Sequence, residues 1–256
     1  MKRPIGLAAL TVRELPPHEQ VSVAAETGYD CVGLRLIPVA NQILPPFDER
    51  ETERRLADTG LRVLDVEVFR LEPGTQVAAF ESTLATAARL RASEILVHGA
   101  DPDESRLVET FSALCEIAAR YGLQVNLEPM PWVEVSTVAK ARRILEKVSL
   151  KNCALLVDAI HFFRADNRFD ELRDVSLRYL QLCDAKAERP ADMQEIIRQA
   201  RGDRMFPGEG GLDLRGLMNA LPPDLPINLE IPLAQPMPPN ERARRALQAA
   251  RALLAC

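Results

Sequence analysis

Four apolar runs in the second half of the chain end on side chains that can offer oxygen to a cation. They are V-N-L-E at Glu128, L-L-V-D at Asp158, Y-L-Q-L-C-D at Gln181 or Asp184, and I-N-L-E at Glu230. Read as β-strands, such runs send alternate side chains to opposite faces. Asn126 and Glu128 then share a face, as do Asn228 and Glu230, whereas Asp184 has the opposite parity to Gln181 unless the strand has already ended. Three carboxylates brought to one place repel strongly, and a divalent cation is the simplest neutraliser. Two Glu, one Asp and an amide oxygen form a hard, oxygen-rich set that suits Mg2+ or Mn2+ better than a thiol-seeking metal. Taken singly, each residue is an ordinary helix cap or a solvated loop residue. Their recurrence at four successive run ends is what points to a site.

Other groups with chemical reach lie close to these ends. His161 follows Asp158 by three residues and Arg164 by six. The imidazole could donate to a substrate oxygen or protonate a leaving hydroxyl. Arg164 and Arg204 are cations suited to a polar or anionic substrate, although Asp166 and Asp203 are near enough in sequence to neutralise them. Glu67 in L-D-V-E-V-F and His98 in L-V-H-G close two earlier runs, with Arg35 a weaker candidate of the same kind. Trp132, the single Trp, follows Glu128 by four residues and can pack on a substrate face or serve as plain cover. Glu209, in F-P-G-E-G-G, puts negative charge where a phosphate cradle would need amides alone. Cys183 shares a face with Gln181 but has no His near it in sequence, which reads as a buried, inert thiol.

The elements that must position these residues alternate along the whole chain. Strand-like runs cover 5–10, 31–36, 62–69, 94–99, 124–128, 153–158, 178–184 and 227–231. Between them lie helical patterns, including 168–175, 211–221 and a basic amphipathic segment ending the chain. Gly28, Gly60 and Gly122 each close a helix before a strand, and Ser136 is placed to cap the helix that follows. Strands apolar on both faces belong in parallel sheets. Eight such units predict an α/β fold, a (β/α)8 barrel as one domain over residues 1–256. An open doubly wound sheet is the runner-up, weakened because no G-x-G-x-x-G follows the first strand. In a closed barrel the C-terminal strand ends form the active rim, which is where the four oxygen-bearing side chains fall.

Composition narrows the function classes. A 47% hydrophobic and 27% charged chain of 256 residues has enough apolar content for a real core. A net charge of −5 argues against broad nucleic-acid binding. Five scattered cysteines (31, 115, 153, 183 and 256) with no C-x-x-C pair read as reduced thiols of a cytoplasmic protein. No signal peptide is expected at the N-terminus, and no apolar stretch reaches the ~18 residues of a membrane span.

The motifs N-L-E-P-M-P-W, V-D-A-I-H-F-F-R, Y-L-Q-L-C-D-A, R-M-F-P-G-E-G-G-L-D-L and I-N-L-E-I-P resemble the xylose-isomerase-like TIM-barrel superfamily, and most closely its sugar phosphate isomerase/epimerase branch. The resemblance implies a divalent metal (Mg2+ or Mn2+, with Co2+ or Zn2+ as alternatives) held by Glu128, Asp158, Gln181 and Glu230. It also matches His161 to the branch's D-x-x-H and Arg204 to its Arg before Pro-Gly. It implies an isomerase or epimerase of carbohydrate metabolism, acting on a small sugar or hydroxy-carbonyl compound. Glu128 and Glu230 would be its acid/base pair, with proton transfer through an enediolate that the metal stabilises. Many epimerases of the branch carry His where this chain has Gln181. Gln there is similar to hydroxypyruvate isomerases and to bacterial 3-dehydroshikimate dehydratases, so a lyase is the alternative. A non-catalytic barrel, kept as a binder or subunit, is the second alternative. The endonuclease IV branch needs many His, and this chain has three. A small-molecule substrate is expected, without nucleic acid or membrane, and homo-oligomers are common among barrels of this type.

Overall fold

The computed structural model describes residues 3–38 and 42–255. Among them, eight parallel strands close a barrel in chain order. These are β1 (Ile5–Leu7), β2 (Cys31–Arg35), β3 (Arg62–Leu71), β4 (Glu94–Gly99), β5 (Gln124–Glu128), β6 (Cys153–Asp158), β7 (Leu177–Leu182) and β8 (Ile227–Leu229). The helices are α1 (Pro17–Thr27), α2 (Glu49–Thr59), α3 (Glu81–Arg89), α4 (Glu104–Arg120), α5 (Val138–Val148), α6 (Ala159–Arg164), α7 (Met193–Gly202), α8 (Leu214–Ala220) and α9 (Pro239–Leu254). None of the described helices is long and apolar enough to cross a membrane. α4 buries one stripe on the outside of the barrel, through Leu107, Phe111, Leu114 and Ala118. Four cysteines are buried and free, and Cys256 lies outside the described residues.

The expected strands are all present, but the C-terminal ends of β1, β2, β3, β7 and β8 differ. β1 is short because residues 9–12 curl into a 3-10 turn over the end of β8. There the Thr11 hydroxyl donates to Leu229 O and accepts from Ile231 N, both at 2.7 Å. β3 runs on to Leu71. β7 stops at Leu182, so Asp184 is free to turn away from the barrel. There it accepts from the amides of Ala185, Gly208, Gly210 and Leu212 at 2.8–3.2 Å.

The helices differ more. Residues 168–175 form only a short 3-10 turn at Phe169–Leu172, bounded by left-handed Asp166 and Asp174. The unexpected α6 precedes that turn directly after β6, and a second unexpected helix, α7, follows β7. Asp192 caps α7 by accepting from Gln194 N, a signal already present in the sequence. Thr137, not Ser136, caps α5 by accepting from Lys140 N. Gly28, Gly60 and Gly122 adopt the expected left-handed conformation.

Inside the barrel, a polar layer lies one step below the rim. Tyr179 OH donates to Asp65 Oδ2 at 2.8 Å, and Asn228 Nδ2 donates to Asp65 Oδ1 at 3.0 Å. Asn126 Nδ2 donates to Glu94 Oε2 at 2.9 Å. Gly33 lets Asp65 in: a Cβ there would stand 2.2 Å from Asp65 Oδ1. This layer ties β3, β7 and β8 together beneath the positions that carry Glu128 and Glu230.

Candidate active site

The rim residues reach their positions through the strand period. Asn126 and Asn228 are fully buried in the layer below, which leaves Glu128 and Glu230 two residues further on, at the mouth. Glu230 lies just past β8, and its amide still bonds Leu182 O at 3.1 Å, continuing the ladder. Asp158 ends β6 and caps α6, accepting from His161 N at 3.2 Å. The cap explains the D-x-x-H spacing: the residue three past an N-cap places its amide on the cap and its side chain beside it. Glu128, Asp158 and His161 are all buried, and one ligand atom from each lies within 4.8 Å of the others.

Arg204 binds the fourth strand into this group. Its Nη1 donates to Asp158 Oδ2 at 2.6 Å and its Nη2 lies 2.8 Å from Glu230 Oε2. Further donors reach Ala200 O and Glu230 O. The sequence reading cast Arg204 as a substrate cation; here its donors are taken, and it acts as a clamp on two carboxylates. Its alternative partner Asp203 pairs with Arg198 instead. Gln181 Nε2 donates to Glu230 Oε1 at 3.2 Å, while Gln181 Oε1 is buried without a partner.

Ionisation follows from burial and these neighbours. Burial, and then the charge of Asp158, push Glu128 well above the ordinary carboxylate range. Burial also raises Glu230, against the pull of Arg204. Burial would raise Asp158 as well, but Arg204 and His161 outweigh it and bring the group below its usual value. Burial lowers both His98 and His161 to about 3, so both imidazoles are neutral. His98 Nε2 lies 2.6 Å from Glu128 Oε2, and His161 Nε2 lies 3.8 Å from Glu128 Oε1. A single proton on the short His98–Glu128 contact satisfies both groups.

The donor set fits a divalent ion. Three carboxylates face one guanidinium, so the fully ionised cluster carries two surplus negative charges, the charge of one such ion. Arg204 takes one oxygen each from Asp158 and Glu230 and leaves the second oxygen to bonds of only 3.2 Å. The orphaned Gln181 Oε1 is a further oxygen donor.

The pocket above the cluster is lined by Arg35, Glu67, Arg70, His98, Glu128, Trp132, His161, Arg201, Arg204 and Glu230, among others. Glu67, His98 and Trp132 therefore stand at the mouth, as their run-end positions suggest. Trp132 meets His161 edge-on at 4.9 Å between ring centres. Glu67 is fully buried and 2.8 Å from Arg35 Nη2, yet neither of its oxygens accepts an aligned hydrogen bond. Arg164 is not a lining residue: its guanidinium donates to Lys186 O at 2.8 Å and Gln199 Oε1 at 3.1 Å, bracing the loop after β7. Its alternative partner Asp166 pairs with Arg189. The sequence reading missed Arg70 and Arg201. Arg70 immediately extends the β3 run, a readable signal, whereas Arg201 lies in the helix that went unnoticed.

Residues 21–253 match the family described as xylose isomerase-like TIM barrel. Among curated proteins, a 3-dehydroshikimate dehydratase of Pseudomonas aeruginosa is 27% identical over 85% of this chain and 35% of its own length. An inosose isomerase of Halalkalibacterium halodurans is 29% identical over 44% of this chain and 40% of its own. The chain thus spans about 35–40% of the length of these relatives. Among solved structures, the IOLI protein, described with a bound zinc atom, superposes with a TM-score of 0.80 at 16% identity, covering 98% of both chains. D-allulose 3-epimerase from Methylomonas sp. does so with a TM-score of 0.72 at 18% identity, again over 98% of each. At such identities these structures establish the shared fold alone.

Proposed function

The chain belongs to the xylose isomerase-like TIM-barrel family, and from that premise we propose that it is a divalent-metal-dependent enzyme that removes a proton beside the carbonyl of a small hydroxy-carbonyl compound and expels a β-hydroxyl as water. The observation that carries the metal is the buried Glu128–Asp158–His161 cluster, extended through Arg204 and Glu230 to the orphaned oxygen of Gln181. Glu128, Asp158, Gln181 and Glu230 would hold the ion, with His161 beside it. When bound, the ion polarises the substrate carbonyl as a Lewis acid and acidifies the neighbouring C–H.

The chain's own residues do the rest. Glu128 or Glu230 takes the proton, and the freed electron pair forms the new carbon–carbon double bond as the β-hydroxyl departs. That carboxylate passes the proton on to the departing hydroxyl, which leaves as water, while His161, a neutral imidazole three residues from Asp158 and beside Trp132, orients the hydroxyl by a hydrogen bond. The dehydratase outcome is favoured over isomerisation because the dehydratase relatives align over 85% of this chain and the inosose isomerases over 44%.

The test is turnover of 3-dehydroshikimate by the purified chain with Mn2+, followed by the ultraviolet absorbance of the aromatic dihydroxybenzoate product. Glu128→Gln should abolish it. Absence of product with metal-loaded protein would sink the dehydratase reading. The isomerase reading, favoured by the inosose isomerases, expects deuterium from heavy water to enter an inosose or ketose instead. Metal binding without turnover in either assay would leave the barrel as a binder.

A further inference from the structure

Four arginines line the pocket, and three of them are already neutralised. Arg204 bridges Asp158 and Glu230, Arg35 pairs with Glu67, and Arg70 pairs with Glu72. Arg201, near the end of α7, makes no ion pair among the described residues. Its guanidinium lies 6.0 Å from the centre of the Trp132 ring, whose edge-on partner is His161. Its carbonyl accepts from Arg13 Nη1 at 3.2 Å, which ties the end of α7 to the loop after β1. The result is a cation with unspent charge, one aromatic ring away from His161.

We propose that Arg201 is a specificity-determining residue that recognises a carboxylate on the substrate. A guanidinium presents a planar fork that matches a carboxylate bidentately. A cation–π contact with the indole, at 6.0 Å from the ring centre, favours this placement of the fork without consuming its donors. A substrate anchored there would extend from Arg201 across Trp132 towards His161 and the carboxylate cluster. The inference rests on the reading of this pocket as a substrate site, and it confines the substrate class to carboxylate-bearing molecules rather than neutral sugars.

Trp132 is the single Trp of the chain, so its emission reports on this position. The experiment titrates shikimate and its uncharged methyl ester against the Mn2+-supplied protein, followed by Trp132 fluorescence and by ligand line broadening in NMR. Wild type should bind the acid more tightly than the ester. Arg201→Gln should weaken the acid by about ten- to a hundredfold, the range of a charge-assisted hydrogen bond, and leave the ester unchanged. Arg201→Lys should fall between. Arg201 is exposed, so the substitutions leave the core intact. Equal affinity for acid and ester, unchanged acid binding in Arg201→Gln, or no binding of either probe would overturn the inference. Turnover of 3-dehydroshikimate with no effect at Arg201 would defeat the inference and spare the dehydratase reading. Acid selectivity without turnover would do the reverse.

Discussion

Arg204 shows how a single side chain can hold an active site together before any ligand arrives. It is 3% exposed and reaches two carboxylates from different strands. Removing one partner of a buried ion pair leaves the other charge without compensation, at a cost of about 3 kcal/mol or more. Arg204→Met should therefore lower the urea-unfolding free energy by that order in the presence of a chelator. Mn2+ should recover part of the loss, because the ion supplies the missing positive charge. Equal stability of the variant and wild type in chelator would show that the guanidinium is not the compensating charge. The identities of Glu128, Asp158 and Glu230 were legible in the sequence because each ends an apolar run. The partner of Arg204 was not, since Asp158 lies 46 residues away and only barrel closure makes them neighbours.

At the scale of elements, the polar layer beneath the rim is the part least visible in sequence. Asp65 and Glu94 read as ordinary charges on strand runs, yet both are buried inside the barrel. Gly33 exists to make room: an alanine there would meet an Asp65 carboxylate already fixed by Tyr179 and Asn228. Gly33→Ala should cost about 1–3 kcal/mol by overpacking, and much less in an Asp65→Ala background. Thermal melts of the single and double variants check this; additive losses would refute the steric account.

Glu94 gives a pH signature. Burial raises its pKa to about 7, with the Asn126 hydrogen bond pulling the other way. The unfolded chain therefore releases this proton at lower pH than the folded one. Stability falls as pH rises from about 4.5 to about 7 and is level beyond. Glu94→Gln should remove that fall, narrowing the difference between pH 5 and pH 8 by on the order of 2 kcal/mol. Identical pH slopes in urea titrations of the two proteins would count against it. Element boundaries were readable wherever caps were strong. They failed between β6 and β7, where left-handed Asp166 and Asp174 break a helical pattern that propensity alone would continue.

For the whole molecule, the eightfold strand rhythm was legible because strands buried on both faces carry long apolar runs. The resulting barrel gathers groups from β2, β3, β4 and β5 and from the segments after β6, β7 and β8 onto one mouth. A ligand that binds only this closed assembly stabilises all of it. At a hundredfold over its dissociation constant, Mn2+ should add about 2.7 kcal/mol, which is roughly 5 °C or more for a chain of this size. EDTA should reverse the gain, and a melting temperature indifferent to both would argue against a resident ion.

The outward turn of Asp184 has a consequence for how such a barrel diversifies. One carboxylate staples the start of the β7 loop to its far end at Gly208, Gly210 and Leu212, and the backbones of Asp184 and Met205 bond each other directly. The residues looped out between Asp184 and Arg204, including α7 with Arg201, form a cassette whose length and sequence can drift while the clamp Arg204 and the loop's ends stay fixed. Selectivity and reactivity are thereby separated on the chain: a lineage can exchange the cassette for new substrates and inherit the carboxylate cluster unaltered.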